Sequence, residues 1–172
     1  RSAGYHNETG DNNVFMGKWS GIESIDGNNN IFLGTLSGRS FISGNDNIFI
    51  GTETGFSSDT SNANIYIGFF AGHQDSVSYG NVMLGDHVGE YHEEGDGNVF
   101  IGASSGQNNT DGYYNVFLGF QAGRNETGSN NLYIENSEEG RDNALIYGEF
   151  DNDYLQLNAR VNITGELQFF GS

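Results

Sequence analysis

The feature that most constrains the fold is a short apolar phrase that returns every 17 residues. It reads NVFMG in its first full copy and NVFLG in its seventh, and the asparagine that opens it stands at Asn13, Asn30, Asn47, Asn64, Asn81, Asn98 and Asn115. An eighth copy, NLYIE, opens at Asn131, one residue short of this register, and Glu135 replaces its glycine. So regular an interval predicts a repeat architecture in which each unit stacks on the next.

The repeat unit is too short for a helical hairpin, and its three-residue apolar runs favour strands. Each run ends at a glycine, namely Gly17, Gly34, Gly51, Gly68, Gly85, Gly102 and Gly119, and a second glycine follows four residues later. Glycine permits positive φ or close backbone approach at such corners. The pattern predicts an all-β fold, a parallel β-roll or β-solenoid with 17-residue coils, stacked at about 4.8 Å per coil.

Side chains alternate along a strand, yet neither face of these strands is polar. In NVFMG, Val14 and Met16 point one way and Phe15 the other. The central residues form an aromatic column, here named for its main members: Phe15, Phe32, Phe49, Tyr66, Met83, Phe100, Phe117 and Tyr133. Because a long exposed apolar stripe suits a soluble monomer badly, we expect one face to fill the coil and the other to pack against sister chains in an intertwined homotrimer. A wider lumen that encloses both faces is the alternative.

Two further positions of the repeat have a structural interpretation. The opening asparagines can form a ladder of side-chain amides from coil to coil. The third residue after the first glycine is small in every copy, which predicts that it points into a narrow lumen; these residues are Ser20, Ser37, Thr54, Ala71, Val88, Ser105 and Ala122.

Composition narrows the class of protein. The net charge is −17, with only 6 Lys and Arg, which argues against nucleic acid as a partner and suits a soluble, self-repelling fibre. No apolar run is long enough for membrane insertion. The chain has no cysteine, so it holds neither a disulfide framework nor a thiolate metal site. These features favour an extracellular location, on a cell surface or a virion-like tail fibre.

The chain divides into two parts. Residues 1–134 hold about eight repeats of the roll, and residues 135–172 form C-terminal cap or neck strands that lead to a stalk. Apolar residues of the second part fall on odd numbers, which predicts a strand or strand pair with one buried face: Leu155, Leu157, Ala159, Val161, Ile163, Leu167 and Phe169. The pattern is under way at residue 1, so we expect the chain to be part of a longer protein.

The phrases NVFMG, NIFIG and NVFLGFQAG resemble the repeats of trimeric bacterial and phage fibre heads. They are also similar to the shorter repeats in the heads of trimeric autotransporter adhesins. This resemblance implies a left-handed parallel β-roll, with three rolls around one axis. The tail, from NNLYIENSEEG onwards, is similar to the segment that precedes intramolecular chaperone domains in tail-fibre proteins.

Catalytic and metal-binding patterns are weak. Folding the sequence on the 17-residue period places His73 in one column with Glu90, and Asp75 in one with His92, where each pair could interact electrostatically. The acidic stretch EYHEEGD lacks zinc-site spacing, and we expect neither a metal nor another cofactor. A polysaccharide-degrading enzyme is a minor alternative, since a glycosidase needs two carboxylates across a cleft.

We expect an adhesin-type head or shaft that binds a host, prey-cell or matrix surface multivalently, with a glycan as the favoured ligand. The alternative is a passive spacer in a fibre. Large aromatic residues that stand where other copies hold small or polar residues are the candidate ligand contacts, because sugar rings stack on such side chains: Trp19, Phe69, Phe70 and Phe120. Packing at the trimer seam is the other interpretation of the three phenylalanines.

Overall fold

The computed structural model describes residues 2–164, which form one ten-stranded sheet in which each strand pairs with the next along the chain. The strands are β1 (Val14–Met16), β2 (Ile31–Leu33), β3 (Ile48–Ile50), β4 (Ile65–Ile67), β5 (Val82–Leu84), β6 (Val99–Ile101), β7 (Val116–Leu118), β8 (Asn131–Ile134), β9 (Ile146–Glu149) and β10 (Tyr154–Leu157). No helix occurs within the described range, and so none there could cross a membrane.

Strands β1 to β8 are parallel and follow the predicted register. Phe15 lies opposite Phe32, and Phe32 opposite Phe49, so partners are 17 residues apart. The last pairing is shorter by one residue, because Phe117 lies opposite Tyr133. The predicted all-β parallel solenoid is therefore confirmed. It has about seven coils rather than about eight, since eight stacked strands bound seven turns of the chain.

The aromatic column fills the interior of the coil. Its residues from Phe32 to Phe117 are fully buried. The rings of Phe32, Phe49 and Tyr66 stack from coil to coil, with centroids of Phe32 and Phe49 4.8 Å apart, and Phe100 stacks on Phe117, while Met83 separates the two stacks. Phe15, in the first coil, is only partly buried. The small residues predicted to face the lumen, Ser20 to Ala122, are fully buried as well. The lumen is thus narrow, and large rings alternate in it with small side chains.

The two glycines of each repeat are required for different reasons. Gly55 has a φ of +56°, and a Cβ there would lie 2.6 Å from the ring of Phe49. Gly34 has a φ of +141°, and a Cβ there would lie 2.1 Å from the carbonyl oxygen of Gly51 in the next coil. One glycine therefore admits the core ring, and the other allows successive backbones to approach closely.

The opening asparagines form a continuous ladder through the interior. Asn47 donates from Nδ2 to Oδ1 of Asn30 at 3.0 Å and to the carbonyl oxygen of Ser61 at 2.7 Å. Its own Oδ1 accepts the backbone N–H of Asn64 at 3.1 Å. The backbone N–H to Oδ1 contact recurs from Asn30 to Asn131, so each coil is tied to the next by a buried side chain as well as by its strand.

The first and third residues of β1 to β7, together with Leu132 and Ile134 of β8, point outwards and form an apolar surface, here called the aliphatic ribbon. It remains half-exposed or exposed along the whole parallel stack, reaching 67% exposure at Met16. A lumen that encloses both strand faces is therefore not what this chain forms. The ribbon residues of β1 to β8 are Val14, Met16, Ile31, Leu33, Ile48, Ile50, Ile65, Ile67, Val82, Leu84, Val99, Ile101, Val116, Leu118, Leu132 and Ile134.

The described part of the tail adds a hairpin to the last coil. Strand β9 pairs antiparallel with β8, and β10 pairs antiparallel with β9. Ile134, Ile146 and Leu157 lie side by side, as do Leu132, Gly148 and Leu155, so the aliphatic ribbon continues across both added strands.

Within the single chain, the face of the tail that the sequence predicts to be buried is exposed in the described residues. Leu155, Leu157, Ala159, Val161 and Ile163 are all exposed, and β10 ends at Leu157. The physical reason is that no further layer of this chain covers the outward face of β10. Two residues of the predicted face, Leu167 and Phe169, lie outside the described range.

Replacing Phe49 with Ala should destabilise the fold strongly. The ring is fully buried between those of Phe32 and Tyr66, so its loss leaves a cavity that costs about 3–5 kcal/mol of unfolding free energy. Urea unfolding of both proteins measures the difference. Thr52→Ala, at an exposed corner of the same coil, is the matched control and should change little. Equal effects at the two sites would contradict the assignment of inward and outward faces.

Replacing Asn64 with Ala should also be costly, because it orphans several buried groups. Asn64 donates to the carbonyl oxygen of Ser78 and accepts the N–H of Asn81, and each buried group left unpaired costs about 1–3 kcal/mol. Asn62→Ala is the control, since Asn62 accepts the N–H of Asn45 at the surface, where water replaces it. Comparable losses of thermal stability in the two variants would show that the interior ladder stabilises the fold no more than the exposed asparagine contacts do.

Candidate functional site

The four aromatic candidates lie on one edge of the solenoid, directly after the strands, but they do not form one site. Phe69 and Phe70 are adjacent, whereas Trp19 and Phe120 are each three coils away from them. Three coils correspond to about 14 Å along the stack. The edge therefore presents three separate aromatic positions at similar intervals.

The backbone explains why this edge tolerates diverse side chains. Trp19 has a φ of +62° and Phe70 one of +58°, and the residues in the same column have nearly the same left-handed conformation: Leu36, Glu53, His87, Ser104 and Gln121. Because side chains this different share one conformation, coil geometry imposes the turn and not the residue type. Trp19 and Phe70 are therefore not needed there for the fold of the turn.

Phe70 belongs to a stack of rings along the edge. His73 lies between Phe56, at 4.9 Å, and Phe70, at 4.6 Å, and Phe70 in turn stacks on His87 at 5.5 Å. Phe69 meets the side of Phe70 and remains 43% exposed. Of this adjacent pair, Phe69 is thus the more accessible ring, while Phe70 packs within the chain. Phe120, at 53% exposure, is more accessible than either.

The ring stack also changes one predicted histidine pairing. His73 does not pair with Glu90, because its Nε2 lies 3.3 Å from a carboxylate oxygen of Glu53, in the neighbouring corner column. Glu90 instead lies 2.9 Å from Nδ1 of His87 and accepts a hydrogen bond from Gln107 at 2.6 Å. Together with the ring stack, these side-chain contacts link four successive coils along the edge.

The second predicted pair, Asp75 and His92, is present inside the lumen. His92 Nδ1 lies 3.8 Å from Asp75 Oδ1, both side chains are fully buried, and neither of these two atoms has a hydrogen-bond partner among the described residues. The other oxygen of Asp75 accepts hydrogen bonds from the hydroxyls of Tyr66 and Ser78. Burial, with the adjacent Asp75 carboxylate, raises the pKa of Tyr66, so its hydroxyl stays protonated and donates.

The asparagine ladder contacts His92 through Asn98. Asn98 uses Oδ1 to accept the N–H of Asn115, so its Nδ2 faces His92 Nε2 at 3.2 Å. The same Nδ2 donates to Oδ1 of Asn81 at 3.2 Å and to the carbonyl oxygen of Gly112 at 2.8 Å, so both of its hydrogens also serve the ladder. This cluster is enclosed in the core and stabilises a polar stretch of the lumen.

The acidic stretch around residues 90–96 does not converge on a cleft. Glu90 is buried against Gln107, whereas Glu93 and Glu94 are exposed. Asp96 accepts the backbone N–H of Tyr79 at 2.8 Å and so serves the coil-to-coil contacts. Within the described range, no group of three or more His, Cys, Asp or Glu side chains is arranged to hold a metal ion.

Trp19 lies at a concave site, here called the Trp19 groove, which has a volume of about 310 Å³ and is lined by His6, Trp19, Ile22, Glu23 and Arg39. The ammonium of Lys18 lies 4.2 Å from the centroid of the Trp19 ring. The groove therefore combines an aromatic ring with the guanidinium of Arg39, and the ammonium of Lys18 lies against the same ring, on a chain whose net charge is −17.

Three features of the exterior escaped the reasoning from sequence. Arg39 joins Trp19 from the following coil, and its column holds residues as different as Phe56 and Glu90, so no repeated letter marks it. A second, exposed ladder of Asn28, Asn45 and Asn62 binds successive coils, and repetition of asparagine at the period could have revealed it. The aliphatic ribbon also extends into the tail hairpin; the alternation of apolar residues predicts β10, but no sequence pattern predicts its partner strand β9.

No model of a known protein family matches the chain, and neither a curated protein nor a solved structure matches it.

Proposed function

We propose that the chain is a rigid head or shaft segment of a homotrimeric surface or tail fibre, located outside the cell, that binds a host, prey-cell or matrix surface through glycans. The observation that carries the proposal is the aliphatic ribbon. It runs across all ten strands, and 19 of its 20 positions are apolar side chains, Gly148 being the exception. A continuous outward stripe of this kind marks a surface that a partner covers.

The shape of the ribbon favours further copies of the same chain as that partner. It is continuous from strand to strand and follows the stack for about 43 Å, from nine strand spacings of about 4.8 Å. The two outward residues of each strand form two parallel apolar columns. In a three-fold assembly, one column of each chain meets the other column of its neighbour, and three such contacts close the ring. The similarity of the repeats to trimeric fibre heads supports the same arrangement, with left-handed rolls.

The fibre also needs a surface that stays free to bind a ligand, and we assign this role to the edge that carries Trp19, Phe69 and Phe120. Sugar rings present apolar C–H faces that pack on aromatic rings, while neighbouring amide and carboxylate groups hydrogen-bond to hydroxyls. In a trimer each of these positions occurs three times on a rigid rod. Weak single contacts then add through effective concentration, which suits attachment to a repetitive glycan surface.

The native protein should have a mass three times that of its 18.7 kDa chain. Replacing Ile50, in the middle of the ribbon, with Glu should shift it towards monomer, since three carboxylates would then meet on the axis without partners. Light scattering over a concentration series measures the mass, and circular dichroism checks that the strands persist.

The matched control for this experiment is Thr52→Glu, which adds the same charge at an exposed corner of the same coil and should leave the mass unchanged. If the Ile50 variant fails to fold, Ile50→Ala provides a milder test, because it should raise the concentration needed for assembly. A native protein that remains monomeric at every concentration would contradict the trimer.

Binding to cells or to an array of glycans should fall when Trp19, Phe69 or Phe120 is replaced with Ala, while mass and melting temperature stay constant. Thr35→Ala is the control, because Thr35 occupies the column of Phe69 and Phe120 one coil after Trp19. Loss of assembly instead of binding would place a ring at the trimer seam. A native trimer that binds no cell surface and no glycan would leave the role of a passive spacer.

A further inference from the structure

The Trp19 groove concentrates positive charge that the fold leaves unused. The described chain holds five Lys and Arg side chains; one of them, Arg39, lines this groove, and a second, Lys18, contacts the ring of Trp19. Neither has a carboxylate within ion-pair distance in the described part of the chain. By contrast, Arg124 lies 2.8 Å from a carboxylate oxygen of Glu138.

Comparison between coils shows that neither Trp19 nor Arg39 is needed by the scaffold. The position of Trp19 is occupied elsewhere by Glu53 and Ser104, in the same backbone conformation. The position of Arg39 is occupied in other coils by Phe56 and Glu90. Each coil is thus a control for the next, and the pairing of Trp19 with Arg39 at one concave site is a local feature of the first two coils.

The guanidinium of Arg39 is held in place but not neutralised. Its Cζ lies 5.3 Å from the centroid of the Phe56 ring, a contact that stabilises the cation through the π-electrons of the ring. No acceptor among the described residues takes its N–H groups, so they remain available to a ligand. The planar fork of such a guanidinium matches the two oxygens of a carboxylate.

We propose that the Trp19 groove binds a glycan through a carboxylated sugar, a step that rests on the proposed glycan-binding function and names its chemistry. Arg39 pairs with the sugar carboxylate, and the apolar ring face packs on Trp19 and the largely buried Ile22. Glu23 accepts hydrogen bonds from sugar hydroxyls. Its negative charge also disfavours multiply charged groups such as phosphate, so a ligand with a single charge fits best.

The groove volume agrees with a small ligand portion rather than a long chain segment. At about 310 Å³ it lies at the lower end of the range for small-molecule sites, which is about 300–1,000 Å³. A carboxylated sugar could be a terminal sialic acid or an internal uronic acid. The two sources share the carboxylate and the ring, and separate ligands distinguish them.

The chain offers a direct probe, because Trp19 is its single tryptophan. Intrinsic fluorescence of the native protein is titrated with 3′-sialyllactose in one arm and with tetragalacturonate in the other. Each acid is compared with its own methyl ester, which keeps the sugar but removes the charge. We expect saturation with at least one acid and binding of its ester weaker by about ten-fold or more.

Arg39→Gln should weaken binding of that acid by about ten-fold or more, and added salt should weaken binding to the native protein. Arg124→Gln is the matched control, since it makes the same change in the same column five coils away. Should Arg124→Gln alter the melting temperature, the exposed Arg160→Gln replaces it as control. Both controls should bind like the native protein.

Three results would overturn the assignment: no saturable change with either acid below about 10 mM, equal binding of acid and ester, or equal effects of the Arg39 and control substitutions. Failure here is distinguishable from failure of the fibre function. If the groove does not bind these acids while the native protein still binds cells, the fibre function stands with a different ligand. The groove lies within one chain, so its assay does not depend on trimer formation.

Discussion

The ladder of buried asparagines is the interaction on which the rest of the structure depends. Strand pairing of three residues per coil would permit slippage, and a one-residue slip would turn each inward ring outwards. Each ladder amide binds both the previous and the following coil, as Asn47 does with Asn30 and Asn64, and it also binds a backbone carbonyl oxygen of the following coil, that of Ser61 for Asn47. Register, coil closure and burial of a polar group are thereby satisfied by one side chain, which explains its recurrence at the period.

The lumen follows a second rule, which concerns where a hydroxyl may enter the aromatic column. Tyr66 stands in place of a phenylalanine where the carboxylate of Asp75 accepts a hydrogen bond from its hydroxyl. Tyr133 does the same where Glu126 accepts a hydrogen bond from its hydroxyl at 2.7 Å. Burial raises the pKa of both phenols, so each remains a donor to its carboxylate. Each tyrosine in the column is therefore accompanied by a carboxylate at a second position, because an isolated hydroxyl or carboxylate in so narrow a core would lack a hydrogen-bond partner.

The interior could be predicted from the sequence, because stacking places the same type of residue at each inward position in every coil. Period, strand positions, the eighth copy at Asn131 and the small lumen residues all followed from that repetition. Which strand face lies inside did not follow, since Phe15 and its neighbours Val14 and Met16 are all apolar, and only the lumen width excludes the second face. The ring stack around His73 and the Trp19 groove depend on contacts between unlike columns in adjacent coils, which no periodic letter records.

The interior is uniform from coil to coil, whereas the edge varies, and the backbone explains why both are possible in one chain. The ladder, the glycines and the aromatic column fix the backbone so fully that a corner residue at positive φ can be Trp19, Glu53 or Ser104 without altering the coil. Side chains on the edge can therefore differ from coil to coil, whereas those on the aliphatic ribbon of β1 to β8 are apolar in every coil. The edge varies from coil to coil, and the ribbon beside it does not. The proposed fibre requires this arrangement, because it would assemble through the ribbon and bind its ligand through the edge.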